Sequence, residues 1–475
     1  MIYGFANVFS RVFAMILIPL YAKYLGKIDY SNLVMLQLVF TILTFLLALN
    51  TGVFYYYYQH ENNKYRKIVF TTWFYYELVL SVLLIGLAYL FSTDIINQIL
   101  IVNNGNSADL TLCLVLLSLQ LLPYTINNTN INLFRINRKP QKVVLIVFFE
   151  SVFTFSFIFI SLNYLKWGLV GVTLSQLVAR TMISLSFSKT AFFYALPKFF
   201  SIKLLKKIVF YTWPYFVISI FSWVITSIDK FIAGKTIVDK TDVAILALAM
   251  QLVIPISVLA DMIRMALGPF VMSIHKDEDA KDTYQKVFDL TLFTSSMVVI
   301  FLVAGTPILT LLLTDKSFLP VTHVVPLMAF ASVFSLVANQ FSISFNLARK
   351  NIYILYATVA AGVIDIVCNY FFLADWGIIV SGLSQLLSYL VMAMILYFAG
   401  IKVAKLDINL KNGSIILGIL FTFIIVNSLN QTQIMNGNYW MLFTYTFITL
   451  IILSLTYIKL QNINVKGILN KFLKR

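Results

Sequence analysis

Apolar runs of about 20 residues, the length at which a helix crosses roughly 30 Å of hydrocarbon, recur from one end of this chain to the other. Fourteen can be marked, at approximately 3–24, 31–54, 69–91, 110–133, 143–165, 168–190, 208–232, 242–270, 287–313, 323–347, 353–374, 377–399, 413–430 and 439–458. Short polar stretches separate them, and no soluble domain is inserted. None of the runs divides into the segments of about 10 alternating residues that mark a membrane β-barrel. The pattern predicts an all-α integral membrane protein with about 14 transmembrane helices.

Composition removes the soluble alternative. Of 475 residues, 60% are apolar and 11% charged, and the mean hydropathy is +0.89. A soluble fold could not bury so much apolar surface. The formal charge of +16 would by itself suggest a nucleic-acid partner. Its distribution argues against one, because Lys and Arg collect in the short connections. Taking connections alternately, one side carries 25 of them, clustered at 64–67, 135–142, 189–207, 276–286, 349–350, 402–411 and 459–475, and the other side carries 7. Positive loops stay in the cytoplasm, so both termini are expected there. Trp167, Trp376, Trp440 and the "YYYY" at 55–58 fall at run ends, where amphipathic rings anchor a membrane interface. The first run holds Arg11 and no small-residue cleavage site, so a retained helix is expected, not a signal peptide. Cys113 and Cys368 have neither C-x-x-C spacing nor a nearby His, which suggests no metal site and no disulfide.

An internal repeat is visible. "WGLVGVTLSQL" at 167–177 matches "WGIIVSGLSQL" at 376–386 with an offset of 209, and "NRK" at 137–139 matches "ARK" at 348–350. "KYLGK" at 23–27 matches "KFIAGK" at 230–235, and "QLV" at 37–39 recurs at 251–253. The order is kept throughout. Segments one to six and seven to twelve therefore read as parallel repeats, each with an even number of helices, related by an axis along the membrane normal. The expected division is a first lobe at 1–206, a second lobe at 207–400, and an added helical hairpin with a basic tail at 401–475.

A charge at membrane depth costs at least about 2.5–3.5 kcal/mol on insertion scales, so it should face a cavity or a partner. The candidates are Arg11, Glu77, Glu150, Arg180, Asp261, Arg264, Asp289 and Asp365. In the first segment Gly4, Asn7, Arg11 and Ala14 share one helical face, with Phe5, Phe9, Val12 and Ile16 largely opposite. Gln176, Arg180, Ser184 and Ser188 step by four along the sixth segment. Glu150, Thr154 and Ser161 form a stripe on the fifth, and Gln120, Tyr124 and Asn127 one on the fourth. The N-terminal half thus reads as a bundle with a wet, polar interior. Plain packing is the competing account for some of these charges: Glu150 neutralising Arg180, Asp261 meeting Arg264 at i, i+3, and Asp289 suiting a helix start. There is no phosphate-binding Gly-rich loop and no nucleophile elbow, and His60, His275 and His323 are dispersed. Neither an enzyme, a cofactor nor a metal centre is expected.

Three stretches carry a family resemblance. "GFANVFSRVFAMILIPLYAKYLGKIDY" at 4–30 contains Gly4-x-x-Asn7-x-x-Ser10-Arg11, Pro19-Leu20-Tyr21 and Lys23-Tyr24-Leu25. "SIDKFIAG" at 227–234 contains the pair Asp229-Lys230, and "DIVCNYFFLADWGIIVSGLSQLLSYL" spans 365–390. Together they resemble the Wzx-type polysaccharide flippases of the MATE-like multidrug/oligosaccharidyl-lipid/polysaccharide (MOP) exporter superfamily. The resemblance implies two six-helix lobes in a V around a central cavity, with alternating access. It implies an undecaprenyl-diphosphate-linked oligosaccharide, moved from the inner to the outer leaflet of the bacterial cytoplasmic membrane for O-antigen or capsule synthesis. A monomer is expected, alongside membrane lipids, a polysaccharide polymerase and glycosyltransferases. On this reading Arg11, Arg180 and Arg264 bind the diphosphate, because guanidinium matches phosphate geometry and stays charged. Asn7, Gln120, Asn127 and Gln176 would bond sugar hydroxyls. Asp365, Glu77 and Glu150 are candidates for ion coupling, and Asp365 stands where the family more typically has an amide. Two rivals make different demands. A cation-coupled multidrug exporter of the same fold favours acidic and aromatic walls over arginine. A membrane polymerase or ligase calls for a long extracytoplasmic loop, and the outer connections here are short.

Overall fold

The computed structural model describes residues 2–59, 62–100, 107–137, 139–236, 242–274, 280–348, 350–403, 408–431, 437 and 439–461. Among them there are helices and no strands. In chain order the helices are α1 (Ile2–Tyr24), α2 (Gly26–Leu47), α3 (Asn50–Gln59), α4 (Asn63–Leu90), α5 (Ser92–Ile99), α6 (Ser107–Leu119), α7 (Leu121–Ile136), α8 (Pro140–Asn163) and α9 (Gly168–Tyr194). They continue as α10 (Ile202–Thr236), α11 (Asp242–Ile274), α12 (Ala280–Leu313), α13 (Val321–Leu347), α14 (Ile352–Trp376), α15 (Ile379–Val403), α16 (Leu410–Leu429) and α17 (Tyr439–Leu460). Thirteen stretches among the described residues are long and apolar enough to cross a membrane, two of them made of the consecutive pairs α2–α3 and α6–α7. α1 precedes them, so each of the fourteen apolar runs in the sequence corresponds to helix. The protein is a multi-pass helical membrane protein.

Local chemistry explains where the helices begin and bend. Asn62 and Asn409 cap α4 and α16, each side chain accepting from the backbone N–H two residues on. Pro140 opens α8, where its missing N–H costs nothing. Gly168 and Gly377 both adopt positive φ, +55° and +70°, at the turns that lead into α9 and α15. These are the glycines of the two repeated "WG" stretches, so the sequence repeat recurs as a backbone repeat.

Two compact units result, Met1–Ala247 with Tyr370–Asp375, and Leu248–Asn369 with Trp376–Arg475. In unit one a core of Phe70, Trp73 and Phe74 from α4 packs on Val53, Leu133 and Ile208. α10 lies against α2, α3 and α4 in this unit. Gly52 makes that approach feasible: a Cβ there would come within 2.3 Å of Thr212 Oγ1 on α10. α1 packs along α8, with Phe13 edge-on to Phe155 and Tyr24 hydrogen-bonded to Asn163.

Unit two is built around α13, which pairs closely with α15. Gly382 on α15 permits this, since a Cβ would meet Leu327 at 2.7 Å. The C-terminal hairpin of α16 and α17 is fastened to α12, with Phe293 stacked on Tyr457 at 4.1 Å. Asp289 on α12 is buried there and accepts from Gln285 at 3.0 Å, Asn412 at 3.0 Å and Gln461 at 2.9 Å. The sequence suggested a helix-dipole role for Asp289; its carboxylate instead gathers three amides from three helical segments and pins the hairpin.

Candidate functional site

The polar interior of unit one is organised by α7. Pro123 lacks the N–H that a continuous helix would use, and the fourth span breaks three residues earlier, at Gln120. Gln120 bridges to α9: its Nε2 donates to the Thr173 carbonyl at 3.2 Å, and its Oε1 accepts from Arg180 Nη1 at 2.8 Å. Arg180 Nε donates to Glu150 Oε1 on α8 at 3.2 Å. Asn127 closes the ring, donating to Glu150 Oε2 at 3.4 Å and to the Arg180 carbonyl at 3.3 Å. The guanidinium lies over the Phe40 ring, 4.8 Å from its centroid, and Phe40 is edge-on to Tyr124. The Arg180 and Glu150 side chains are 25% and 26% exposed, enough for contact with water or a ligand. Nη2 of Arg180 has no protein acceptor among the described residues. The guanidinium is therefore oriented by one edge and keeps donors in reserve.

A second cluster lies on the other side of α7. Glu77 on α4 is fully buried. Its Oε1 accepts from Trp73 Nε1 at 2.8 Å and Asn128 Nδ2 at 3.3 Å, and its Oε2 from Thr129 Oγ1 at 3.4 Å. Asn132 extends the cluster to Asn128 at 3.0 Å and to Asn50 on α3 at 3.4 Å. No lysine or arginine pairs with Glu77 among the described residues. Neutral donors alone hold this carboxyl group.

Unit two has a smaller counterpart. Asp365 on α14 is buried, and Asn369 Nδ2 approaches its Oδ2 at 3.3 Å and Ser384 Oγ on α15 at 2.7 Å. Ser381 and Ser388 on α15 are also buried, and neither hydroxyl has a partner among the described residues.

The family model described as "Polysaccharide biosynthesis protein" matches residues 1–275, more than half of the chain. The chain belongs to this family. No curated protein sequence matches it. Among solved structures, the lipid II flippase MurJ in an inward closed conformation superposes with a TM-score of 0.69 at 17% identity, covering 98% of this chain and 99% of that one. An inward-facing multidrug resistance MATE family transporter of the MOP superfamily gives 0.68 at 15% identity, with 83% and 94% covered. A MOP superfamily transporter from Pyrococcus furiosus gives 0.55 at 16% identity, with 86% and 95% covered. At these identities the likeness is one of fold.

In this polysaccharide biosynthesis protein, Gln120, Asn127, Glu150 and Arg180 converge in one network, and Glu77 stands in another. Gln176 on α9 lies near the buried Tyr21 of α1. Arg11 is half-buried on α1, while Val12 and Ile16 are exposed. The side chains of Asn7, Asp261 and Arg264 lie outside the described residues. Lys230, which the charge count placed on an outer connection, is instead buried in α10 and paired with Asp229 at 2.8 Å. Its removal from the outer tally only widens the asymmetry. Trp73, Asn128, Thr129 and Asn369 were missed from sequence. A signal for two of them existed: "NNTNIN" at 127–132 is too polar for a lipid-facing helix.

Proposed function

We propose that this polysaccharide biosynthesis protein flips undecaprenyl-diphosphate-linked oligosaccharide repeat units from the inner to the outer leaflet of the bacterial cytoplasmic membrane, by alternating access, for surface polysaccharide such as O-antigen or capsule. The observation that carries this reading is the oriented, partly exposed guanidinium of Arg180 within a helix of a family tied to polysaccharide biosynthesis. A guanidinium held through Nε and Nη1 presents its remaining N–H groups to phosphate oxygens in a fixed plane. Arg11 and Arg264 add charge for the diphosphate. Gln120, Asn127, Gln176 and Asn7 supply the amides that bond sugar hydroxyls. Two further buried acids, Glu77 and Asp365, take up a proton or cation during the cycle. Direction has a physical source as well: two negative charges leaving a negative interior gain about 4–5 kcal/mol per 100 mV. The protein works as a monomer, receiving substrate from glycosyltransferases and passing it to a polymerase.

A second reading, a cation-coupled multidrug exporter, draws support from Glu77, a buried acid with no cationic partner among the described residues. Complementation of a flippase-deficient strain separates the two, scored by surface glycan against membrane immunoblots. Wild type should restore glycan, Arg11→Lys and Arg180→Lys should restore part, and Arg11→Gln and Arg180→Gln almost none at normal protein level. Full restoration by alanine at both positions would remove the anion site. Drug resistance without glycan would establish the exporter.

A further inference from the structure

Unit one carries an apolar groove of about 490 Å³ on its flank, separate from the polar network around α7. Val79, Leu80 and Leu83 form one wall on α4. Pro197 and Phe200, in and beside the short 3-10 turn Pro197–Phe199, also line it, with Leu205 of α10. Tyr75 and Tyr76 also line the groove, but their hydroxyls are used elsewhere, on the carbonyls of Ala195 and Leu46. Only ring carbon is left for an occupant. The flank faces lipid: Val79 and Leu83 are exposed, and Phe193 and Phe210 nearby in the chain are 80% and 86% exposed. The volume falls in the range of clefts that hold small ligands.

The connection that contributes Pro197 and Phe200 to the groove is strongly basic. Lys189, Lys198, Lys203, Lys206 and Lys207 lie within 19 residues, with no acid among them, and all five are exposed. Lys198 stands between the lining residues Pro197 and Phe200, and Lys203 and Lys206 flank Leu205. An apolar slot ending in a cationic rim is complementary to a molecule with an apolar chain and an anionic head. Four or more lysines beside a membrane helix attract acidic lipid on the cytoplasmic face, and the charge asymmetry puts this connection there.

We propose that this groove is a binding site for an anionic phospholipid of the inner leaflet, with one acyl chain between α4 and α10 and the phosphate on Lys198, Lys203 and Lys206. The site is independent of the substrate reading. It would hold the start of α10 against α4, and so make activity depend on the acidic lipid content of the membrane.

Native mass spectrometry of the purified full chain in detergent, titrated with phosphatidylglycerol, tests this. Wild type should bind one phosphatidylglycerol at least tenfold more tightly than phosphatidylcholine. The triple variant Lys198→Gln/Lys203→Gln/Lys206→Gln should lose about fivefold per lysine. Leu83→Trp, which fills the slot, should lose the same lipid with the lysines intact. The lysines are exposed, so their variant carries the test even if Leu83→Trp does not fold. Unchanged phosphatidylglycerol retention in the triple variant overturns the proposal, and so does equal affinity for phosphatidylcholine. Displacement of phosphatidylglycerol by an equal concentration of undecaprenyl phosphate also overturns it, because the groove would then belong to the carrier lipid.

Discussion

Trp73 donates its indole N–H to Glu77 one helical turn away, at 2.8 Å, with both side chains fully buried at membrane depth. The bond satisfies an indole that would otherwise be a bare donor and provides one of the three donors to a carboxyl group with no cationic partner among the described residues. Removing the acid would strand Trp73, Asn128 and Thr129 together. Each buried group left unsatisfied costs about 1–3 kcal/mol. Glu77→Ala should therefore lower the thermal unfolding midpoint in detergent markedly. Glu77→Gln, which keeps two polar positions, should lower it less. If Glu77 also carries a proton, Glu77→Gln should cut glycan export far more than it cuts stability. Export and stability falling in proportion would leave it a packing residue.

The Arg180–Glu150 pair separates packing from binding by a double-mutant cycle. Breaking a buried pair from one side costs about 3–5 kcal/mol, whereas exposed pairs give about 0.2–1 kcal/mol. At a quarter exposed, each single alanine should cost an intermediate amount, and the double variant should recover part of it. Export should not recover in the double variant, because the phosphate ligand is gone. Recovery of export along with stability would assign the arginine to packing alone.

Asp365→Asn should reduce surface glycan while leaving expression intact. The change preserves the shape of the cluster with Asn369 and Ser384 but removes the ionisable group. Wild-type glycan in this variant would exclude a coupling role for Asp365.

Asp289→Ala should loosen the C-terminal hairpin specifically. Three amide donors from α12, α16 and the end of α17 lose their common acceptor. Hydrogen exchange should rise in the first turns of α16 and the last turns of α17, and the α4–α7 region should be unaffected. Uniform exchange across the chain would show that the hairpin is held by apolar packing alone.

Cysteines placed at Trp167 and Lys402 report orientation. An impermeant thiol reagent applied to intact cells should label the first and spare the second, in line with the asymmetry of basic loops. The reverse pattern would invert the topology and the direction of transport. Arg138 and Asn436, the equivalent reporters in two further connections, lie outside the described residues.

Helix number and approximate ends were legible because a 20-residue apolar run has one stable solution in hydrocarbon, where every backbone group must be bonded within its own segment. The "WG" repeat was legible too, since a glycine at positive φ leaves a mark in sequence. Of the polar stripes on the fourth, fifth and sixth segments, Gln120, Asn127, Glu150 and Arg180 meet in the structure, whereas Ser161 and Ser188 bond carbonyls of their own helices. What α7 does was not legible. Five of the six residues in "NNTNIN" could have faced one cavity or several, and only packing shows Asn127 joining Arg180 while Asn128 and Thr129 turn to Glu77. Spacing along a helix orders side chains around its axis, but it does not say which neighbour occupies each side. Trp73 and Gln285 sit one turn from Glu77 and Asp289 on the same helices, but the other partners of Glu77, Arg180 and Asp289 lie 30 to 172 residues away, and tertiary contact alone chooses them. The same limit applied to Lys230, which looked like an interfacial charge until burial beside Asp229 placed it inside the fold.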